Sequence, residues 1–181
     1  NYSIIQNDLS NLNFSMNNTS AYGILHYADH ELNVSNIISK NSGNAIYMGS
    51  NNILNVKNVN VTTNNGVVST KGTTNVDSSN MKVTGNAIQS NNSGIINVNS
   101  GTYESTNGEV IMGNDGTINI NDGSYVSDAN DGIRIYNGTI CINGGNIESK
   151  TATGVYINSS SKGKLNMTGG DLVSAKAGVL S

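Results

Sequence analysis

An asparagine between two apolar residues recurs along the chain at a nearly constant interval. Examples of this phrase are Leu54-Asn55-Val56 and Ile118-Asn119-Ile120. Successive copies lie 20 to 25 residues apart, and the commonest step is 22. A fixed period in this range is typical of a solenoid, in which each repeat stacks on its neighbours. The asparagines of this column are Asn13, Asn33, Asn55, Asn75, Asn97, Asn119 and Asn166.

Two further short segments complete each period, and both alternate between apolar and polar residues. In one repeat they are Tyr125-Val126-Ser127 and Ile133-Arg134-Ile135, with corners rich in Asn and Gly between the segments. Such alternation is typical of strands with one buried face. The pattern therefore predicts an all-β, single-stranded parallel β-helix of about eight coils, with three short strands per coil of about 22 residues. Right-handed winding is expected, because about 98% of parallel crossover connections are right-handed.

The period extends over nearly the whole chain, so residues 1–181 are expected to form one β-helix domain. Residues 1–30 contain its least regular coil. The chain begins with Asn rather than Met, and it ends at Val179-Leu180-Ser181, within a predicted strand. We therefore expect either a segment of a longer chain or a subunit that stacks head to tail through its strand edges.

Alternation also predicts which side chains face the core. In the second strand the first residue of each triplet points inward, and in the third strand the middle residue points outward. Around Val67 and Val68, the alternation allows two alignments of the third strand that differ by one residue. The predicted inward column of the second strand contains Val59, Met81, Tyr103, Tyr125, Ile147 and Leu172. The predicted outward row of the third strand contains Tyr47, Ser69, Gln89, Ile111, Arg134, Tyr156 and Leu180.

The asparagine column has a structural and a functional interpretation. If its apolar neighbours face the core, the amides face outward, and each amide can donate a hydrogen bond to the next along the axis. The column is then a stabilising ladder, which is the interpretation we favour, or a polar recognition face. Cys141 occupies one position of the column, where we expect an exposed or half-exposed thiol.

Composition excludes some functions without identifying one. The chain has 34 Asn and 21 Gly, no Pro and no Trp, and only 12% charged residues. The strict placement of apolar residues argues against a disordered polar tract. The few Lys and the single Arg form no basic patch, so nucleic acid is not an expected partner. The sequence has no apolar run of the length that a membrane-spanning helix needs, so no membrane span is expected.

No convergent set of ionisable residues predicts a catalytic site, a metal site or a cofactor. Glycosidic cleavage needs two carboxyl groups, but the candidate aspartates lie at predicted corners, where turn chemistry alone explains them. These candidates are Asp115, Asp128 and Asp131. Four side chains of types that bind metal ions lie close together in the sequence, but we expect them to form a solvated corner rather than a metal site. They are His26, Asp29, His30 and Glu31.

Two repeats carry a resemblance to a known superfamily, Gly116–Gly123 (GTININDG) and Gly138–Gly145 (GTICINGG). They resemble the repeats of pectate-lyase-like, right-handed parallel β-helix proteins. In style they are similar to the repetitive adhesin and autotransporter-passenger domains of bacterial surface proteins. The resemblance implies a secreted or cell-surface protein. Members of the superfamily include polysaccharide lyases and hydrolases, phage tailspikes, adhesins and toxins, so the fold alone assigns no activity.

The expected function is that of a non-catalytic, extracellular structural or adhesive β-solenoid, such as a stalk, an adhesin segment or a fibre subunit. The alternatives are a carbohydrate-active enzyme and a glycan- or receptor-binding module that uses the third-strand face. Expected partners are a glycan or protein of a host or microbial surface, or a second copy joined head to tail. The candidate ligand-binding residues on that face are Tyr47, Ile111, Arg134 and Tyr156.

Overall fold

The chain folds into a parallel β-solenoid of about eight turns, as its period predicts. The computed structural model describes residues 7–158 and 163–181, and these contain strands and turns but no helix. In chain order the strands are β1 (Asp8–Ser10), β2 (Asn13–Met16), β3 (Tyr22–His26), β4 (Leu32–Ser35), β5 (Ile38–Asn41), β6 (Asn44–Lys57), β7 (Asn60–Thr62), β8 (Asn65–Asp77), β9 (Ser79–Val83), β10 (Ile88–Val98), β11 (Gly101–Ser105), β12 (Ile111–Ile120), β13 (Ser124–Ser127), β14 (Ile133–Ile135), β15 (Thr139–Ile142), β16 (Asn146–Ser149), β17 (Val155–Ile157), β18 (Lys164–Met167), β19 (Asp171–Ser174) and β20 (Val179–Leu180).

The described strands form two parallel sheets, a larger one of 12 strands and a smaller one of 8. In each regular turn the predicted second strand joins the smaller sheet. The asparagine strand and the predicted third strand both belong to the larger sheet. In the middle turns these two run on as single long strands of 10 to 14 residues, which are β6, β8, β10 and β12. The prediction of three separate strands per coil is therefore wrong.

The predicted third corner is a bend inside the larger sheet. The register between β10 and β12 shifts between Ser90 and Ser93, and pairing continues on both sides of the shift. Irregularities of this kind bend a strand without ending it. Just beyond the bend, Gly116 has a φ of 101°, and a Cβ there would collide with the backbone of Gly94 in the preceding turn. The glycine-rich sequence therefore marks a bend rather than the end of a strand.

Columns of buried side chains fill the space between the sheets, one residue per turn. Tyr103 and Tyr125 are fully buried, and their rings stack with centroids 5.2 Å apart. Their hydroxyls donate hydrogen bonds of 2.7 Å to the backbone carbonyls of Ser100 and Asp122, so both buried phenols are satisfied. The whole column contains Phe14, Ser39, Val61, Met81, Tyr103, Tyr125, Ile147 and Leu172.

Val61, and not Val59, belongs to this column, because Val61 pairs with Met81. Val59 is also buried, but it occupies the preceding inward position of its turn. The segment Val59-Asn60-Val61 has the same residue at both inward positions, so the sequence does not show which of them aligns with Met81. The other predicted members of the column pair with one another as expected.

Buried serines form another column, at the last position of successive strands of the smaller sheet. Ser105, Ser127 and Ser149 are paired in one column, and each is at most 1% exposed. Their hydroxyls donate to backbone carbonyls of the corner, as in the 2.7 Å bond from Ser149 to Asn130. Each hydroxyl also accepts a backbone N–H, as in the 3.0 Å bond from Ala152 to Ser149. The column therefore anchors the corner that leads back to the larger sheet.

Alkaline pH should destabilise the fold through the two buried tyrosines. Burial raises the pKa of Tyr103 and of Tyr125 well above the ordinary value, whereas tyrosine in an unfolded chain ionises near pH ~10. Above about pH 10 the unfolded chain therefore releases protons that the folded chain retains, and the free energy of unfolding falls as the pH rises. Each buried tyrosine should contribute a slope of roughly 1.4 kcal/mol per pH unit. Urea unfolding at several alkaline pH values measures this slope.

The double variant Tyr103→Phe/Tyr125→Phe should show a clearly shallower decline. Tyr27→Phe is the matched control, because Tyr27 is 63% exposed, and it should decline like the unmodified protein. Equal slopes in the double variant and the unmodified protein would contradict the assignment of these two tyrosines to the core.

Candidate functional site

The asparagine column forms a hydrogen-bonded ladder along the outer face of the larger sheet. Asn97 donates from Nδ2 to Oδ1 of Asn75 at 2.7 Å, and Asn119 donates to Asn97 at 2.7 Å. The series continues with bonds of 2.7 Å from Asn75 to Asn55 and from Asn55 to Asn33. All five amides are half-buried, so each bond forms with limited competition from water. The predicted ladder is therefore confirmed over these five turns.

The predicted place of Asn13 in this ladder is wrong. Asn13 lies in β2 of the smaller sheet, where it pairs with Ile38. The residue in register with Asn33 is Asp8, whose Oδ1 accepts a 2.8 Å hydrogen bond from Asn33 Nδ2. Position 8 precedes position 13 by the same interval as 33 precedes 38, and these two pairs are aligned. Leu12-Asn13-Phe14 therefore imitates the repeated phrase but belongs to the second strand of its turn.

Cys141 takes the ladder position between Asn119 and Asn166. Its thiol is half-buried, in agreement with the prediction. Asn166 Nδ2 lies 3.8 Å from Cys141 Sγ. Because sulfur is a weak hydrogen-bond acceptor, the side-chain ladder is weaker at this turn than at its neighbours.

A second amide ladder, which was not predicted from the sequence, runs beside the first. Asn121 Nδ2 donates to Asn99 Oδ1 at 2.9 Å, and Asn143 donates to Asn121 at 3.0 Å. Thr168 Oγ1 extends the series with a 3.1 Å bond to Asn143. The signal was present in the sequence, because positions 99, 121 and 143 follow the repeat period. Because asparagine is common in turns, its presence at these corners did not by itself indicate a ladder.

The outward row of the larger sheet differs from the predicted row at two positions. Ile111 is fully buried, so its predicted place on this surface is wrong, and Met112 stands there instead. Val68 takes the position assigned to Ser69. Val110-Ile111-Met112 is apolar throughout, so alternation does not reveal its phase. The observed row is Leu25, Tyr47, Val68, Gln89, Met112, Arg134, Tyr156 and Leu180.

Arg134 is held by two buried carboxylates, in a group that we call the arginine clamp. Its Nη1 lies 3.2 Å from Glu109 Oε1, and its Nη2 lies 3.0 Å from Asp131 Oδ2. The carboxylate side chains are only 10% and 5% exposed. Asp131 Oδ1 accepts a 3.0 Å hydrogen bond from the backbone N–H of Thr153, and the guanidinium carbon lies 4.5 Å from the ring centroid of Tyr156. The clamp thus connects three successive turns.

The clamp engages both terminal nitrogens of Arg134 in ion pairs within the chain. Burial acts to lower the pKa of Arg134, but Asp131 and Glu109 outweigh it, so the pKa is raised above the ordinary value. The Nη2–Oδ2 contact is an ion pair by distance, although its angles are not those of a straight hydrogen bond. A guanidinium already paired with two carboxylates offers an external ligand little. The ligand-binding roles of Arg134 and Tyr156 stay predictions.

The three candidate aspartates have three different settings. Asp131 is part of the arginine clamp. Asp128 Oδ1 forms an ion pair of 2.8 Å with Lys150 Nζ at the surface. Asp115 lies in β12, beside the bend of the larger sheet, and it pairs in register with Ser93. Asp128 therefore lies at a surface corner as the sequence predicts, whereas Asp131 is a buried ion-pair partner and Asp115 lies within a strand.

The histidine cluster is also occupied by internal contacts. His26 is buried, and its Nε2 lies 3.0 Å from the backbone carbonyl oxygen of His30. Glu31 accepts a hydrogen bond of 2.6 Å from Nδ2 of Asn55, the second amide of the ladder. Within residues 7–158 and 163–181, no three His, Cys, Asp or Glu side chains are grouped to hold a metal ion.

An exposed cluster of three tyrosines lies at the N-terminal end of the outward row of the larger sheet. The ring centroids of Tyr22 and Tyr47 are 5.2 Å apart with planes at 62°, and those of Tyr27 and Tyr47 are 5.9 Å apart with planes at 54°. Tyr22 is 40% exposed and Tyr27 is 63% exposed. Burial, followed by the neighbouring phenols of Tyr27 and Tyr22, raises the pKa of Tyr47. We call Tyr22, Tyr27 and Tyr47 the tyrosine platform.

The backbone of Gly49 supports the platform from below. A Cβ at Gly49 would collide with the ring of Tyr27, so the ring occupies the space that a side chain would fill. Gly49 lies in β6, two positions after Tyr47. Only Tyr47 was predicted to lie on this surface, because Tyr22 and Tyr27 belong to the least regular coil, where the repeat pattern assigns them to no column.

The smaller sheet carries a shallow depression of about 190 Å³. An exposed ion pair of 2.8 Å joins Lys82 Nζ to Glu104 Oε2 at this depression. Glu104 raises the pKa of Lys82, first through the hydrogen bond and then through its charge. Pockets for small molecules usually enclose at least about 300 Å³, so this depression is small for a ligand site.

No protein-family model, curated protein or solved structure matches the chain. The fold and its side-chain columns define the class to which it belongs, a parallel β-solenoid repeat with a stacked asparagine ladder. In the part of the chain that the structure describes, no helix is long and apolar enough to cross a membrane.

Arg134→Ala should destabilise the fold by about 2–4 kcal/mol, because it leaves two buried carboxylates unpaired. Urea unfolding near neutral pH measures this loss. Lys82→Ala breaks an ion pair whose lysine side chain is 67% exposed, so it should change stability little. Equal stability of Arg134→Ala and the unmodified protein would show that the clamp contributes nothing.

Asn97→Ala should cost about 1–3 kcal/mol, because it removes two ladder bonds and leaves Asn119 and Asn75 each with an unmet partner. Thermal or urea unfolding checks this value. Asn92→Ala is the control, since Asn92 is exposed and lies outside both ladders. If both variants lose the same stability, the ladder has no energetic role of its own.

Proposed function

We propose that the chain is a non-catalytic structural or adhesive β-solenoid that serves as a rigid segment of a surface or fibre protein. The observation that carries the proposal is the continuity of side-chain contacts between successive turns. The ladder bonds of 2.7 Å join Asn33 to Asn119 without a break. A column of such bonds stiffens the rod along its axis, which is the property that a stalk or fibre requires.

The use of the charged side chains supports the same proposal. Asp131 and Glu109 are committed to Arg134, and Asp128 is paired with Lys150. A glycosidase needs one carboxyl group free to donate a proton and a second free to act as base or nucleophile. These aspartates are instead engaged in contacts between turns or across a corner.

Head-to-tail stacking is the second part of the proposal. In the last turn, Met167 and Val179 are 38% and 42% exposed, although their partners in the preceding turn, Ile142 and Val155, are fully buried. The apolar side chains of this turn favour contact with a further coil, whether that coil belongs to the same chain or to a second copy. We further propose the secreted or cell-surface location and the adhesin-like role that the family resemblance implies, together with right-handed winding from the crossover rule.

Sedimentation together with negative-stain imaging tests the stacking. We expect axial oligomers or filaments, and we expect Val179→Asp to shift the protein toward monomer. The control is Val173→Asp, because Val173 is exposed on the outward side of β19. Monomers of the unmodified protein at high concentration would contradict head-to-tail association.

A turnover screen on neutral and acidic polysaccharides tests the non-catalytic assignment. We expect no release of oligosaccharides. Turnover that disappears in Asp128→Asn or Asp115→Asn, with the fold retained, would contradict the proposal and would favour a carbohydrate-active enzyme.

A further inference from the structure

We infer that the tyrosine platform is a binding site for one or two sugar rings of an uncharged polysaccharide. The inference rests on the proposed adhesive function and names both its contact site and the class of its ligand. It places the site at the N-terminal end of the outward row, at Tyr22, Tyr27 and Tyr47. The arginine clamp lies farther along the same row, and its guanidinium is already paired with two carboxylates of the chain.

The platform differs from the other tyrosine groups in what its rings touch. Tyr103 and Tyr125 are sealed in the core. Tyr156 is covered by the guanidinium of Arg134 at 4.5 Å. Tyr27, by contrast, lies on the backbone of Gly49 with 63% of its surface exposed. An aromatic face that is open to solvent can pack against the C–H face of a sugar.

The rings are positioned before any ligand arrives. Tyr47 projects from β6, a 14-residue strand paired on both sides. Tyr22 and Tyr27 make ring contacts with Tyr47, and Gly49 provides the flat backbone under Tyr27. Tyrosine has few rotatable bonds, so a supported ring loses little conformational entropy on binding.

The size of the exposed surface favours a small ligand over a protein. A tyrosine buries roughly 150–250 Å² when it is fully covered. From their exposed fractions of 40% and 63%, Tyr22 and Tyr27 together offer roughly 150–250 Å², and Leu25, which is 50% exposed, enlarges the patch. A stable protein interface needs about 800 Å² on each side. One or two sugar rings match the available area.

Charge and ring spacing favour a neutral sugar over an acidic sugar or an ammonium ligand. The side chains that form the patch are three phenol rings and the apolar Leu25, none of them a cation. The platform itself therefore offers no positive charge to an acidic sugar. The ring centroids are 5.2 and 5.9 Å apart, so the rings touch each other and leave no space between them for an enclosed ammonium group.

Saturation-transfer NMR with defined oligosaccharides tests the inference. The probes are the neutral hexasaccharides cellohexaose, xylohexaose and mannohexaose, with hexagalacturonate and choline as charged comparisons. We expect at least one neutral hexasaccharide to bind, with saturation passing from tyrosine ring protons to its C–H protons. Hexagalacturonate and choline should give no specific signal.

Two variants locate the site independently. Tyr27→Ala removes an exposed ring, and Gly49→Ala displaces that ring without deleting it, so each should weaken binding at least tenfold. Tyr27→Phe keeps the ring and should retain most of the affinity. Tyr136→Phe, beside the arginine clamp, is the aromatic control and should bind normally. The melting temperature of Tyr27→Ala should stay close to that of the unmodified protein, because the ring is largely exposed.

The outcomes separate this inference from the proposed function. The inference is overturned if no neutral hexasaccharide binds, if only a charged probe binds, or if Tyr27→Ala and Gly49→Ala bind as well as the unmodified protein. The structural role stands in each of these cases. Chromatography of the same samples detects cleavage of the bound sugar, and cleavage would overturn the non-catalytic proposal even where the platform binds as expected.

Discussion

Parallel, in-register pairing between successive turns is the constraint on which the rest of this structure depends. Because paired strands lie about 4.8 Å apart, each side chain has the equivalent side chain of the next turn as its neighbour. Residues that tolerate or gain from contact with their own kind therefore accumulate in columns. Asparagine bonds to asparagine, as Asn97 does to Asn75, and tyrosine stacks on tyrosine, as Tyr103 does on Tyr125.

The same constraint explains the unusual composition. A turn of about 22 residues encloses a thin core, so much of the chain lies on a surface or at a corner. Surface columns favour amides, which donate and accept in one direction along the axis. Bends place backbones in close contact, as Gly116 shows against Gly94, and there a side chain has no room. The abundance of Asn and Gly follows from repetition of these few environments.

The parts of the fold that could be predicted are those that repeat in register. The asparagine column over Asn33–Asn119 and the inward column from Met81 to Leu172 needed only the period and the alternation. The errors fall where alternation carries no information. Val110-Ile111-Met112 is apolar at every position, and Leu12-Asn13-Phe14 imitates a phrase of another strand. The division into three strands failed because a polar, glycine-rich segment marks a bend and a corner equally well.

The surface chemistry was less predictable, because side chains from different turns create it. The arginine clamp needs Glu109, Asp131 and Thr153, which belong to three turns and share no motif. The tyrosine platform combines Tyr47 with two residues of an irregular coil and with the missing side chain of Gly49. Both groups lie on one row of the larger sheet, yet their chemistry is opposite. The clamp pairs one guanidinium with two buried carboxylates, whereas the platform is exposed and uncharged.

The central claim is that neighbouring turns stack in this register, and the single native thiol provides the most direct measurement. Asn119→Cys places a second thiol beside Cys141 in the same ladder, at about the 4.8 Å spacing of paired strands. Dibromobimane, which fluoresces strongly when it bridges two nearby thiols, should link this pair efficiently within one chain. Asn97→Cys lies one turn farther away and should give little bridging. Equal bridging in the two variants, or bridging only in Asn97→Cys, would contradict the register on which the ladders, the clamp and the platform depend.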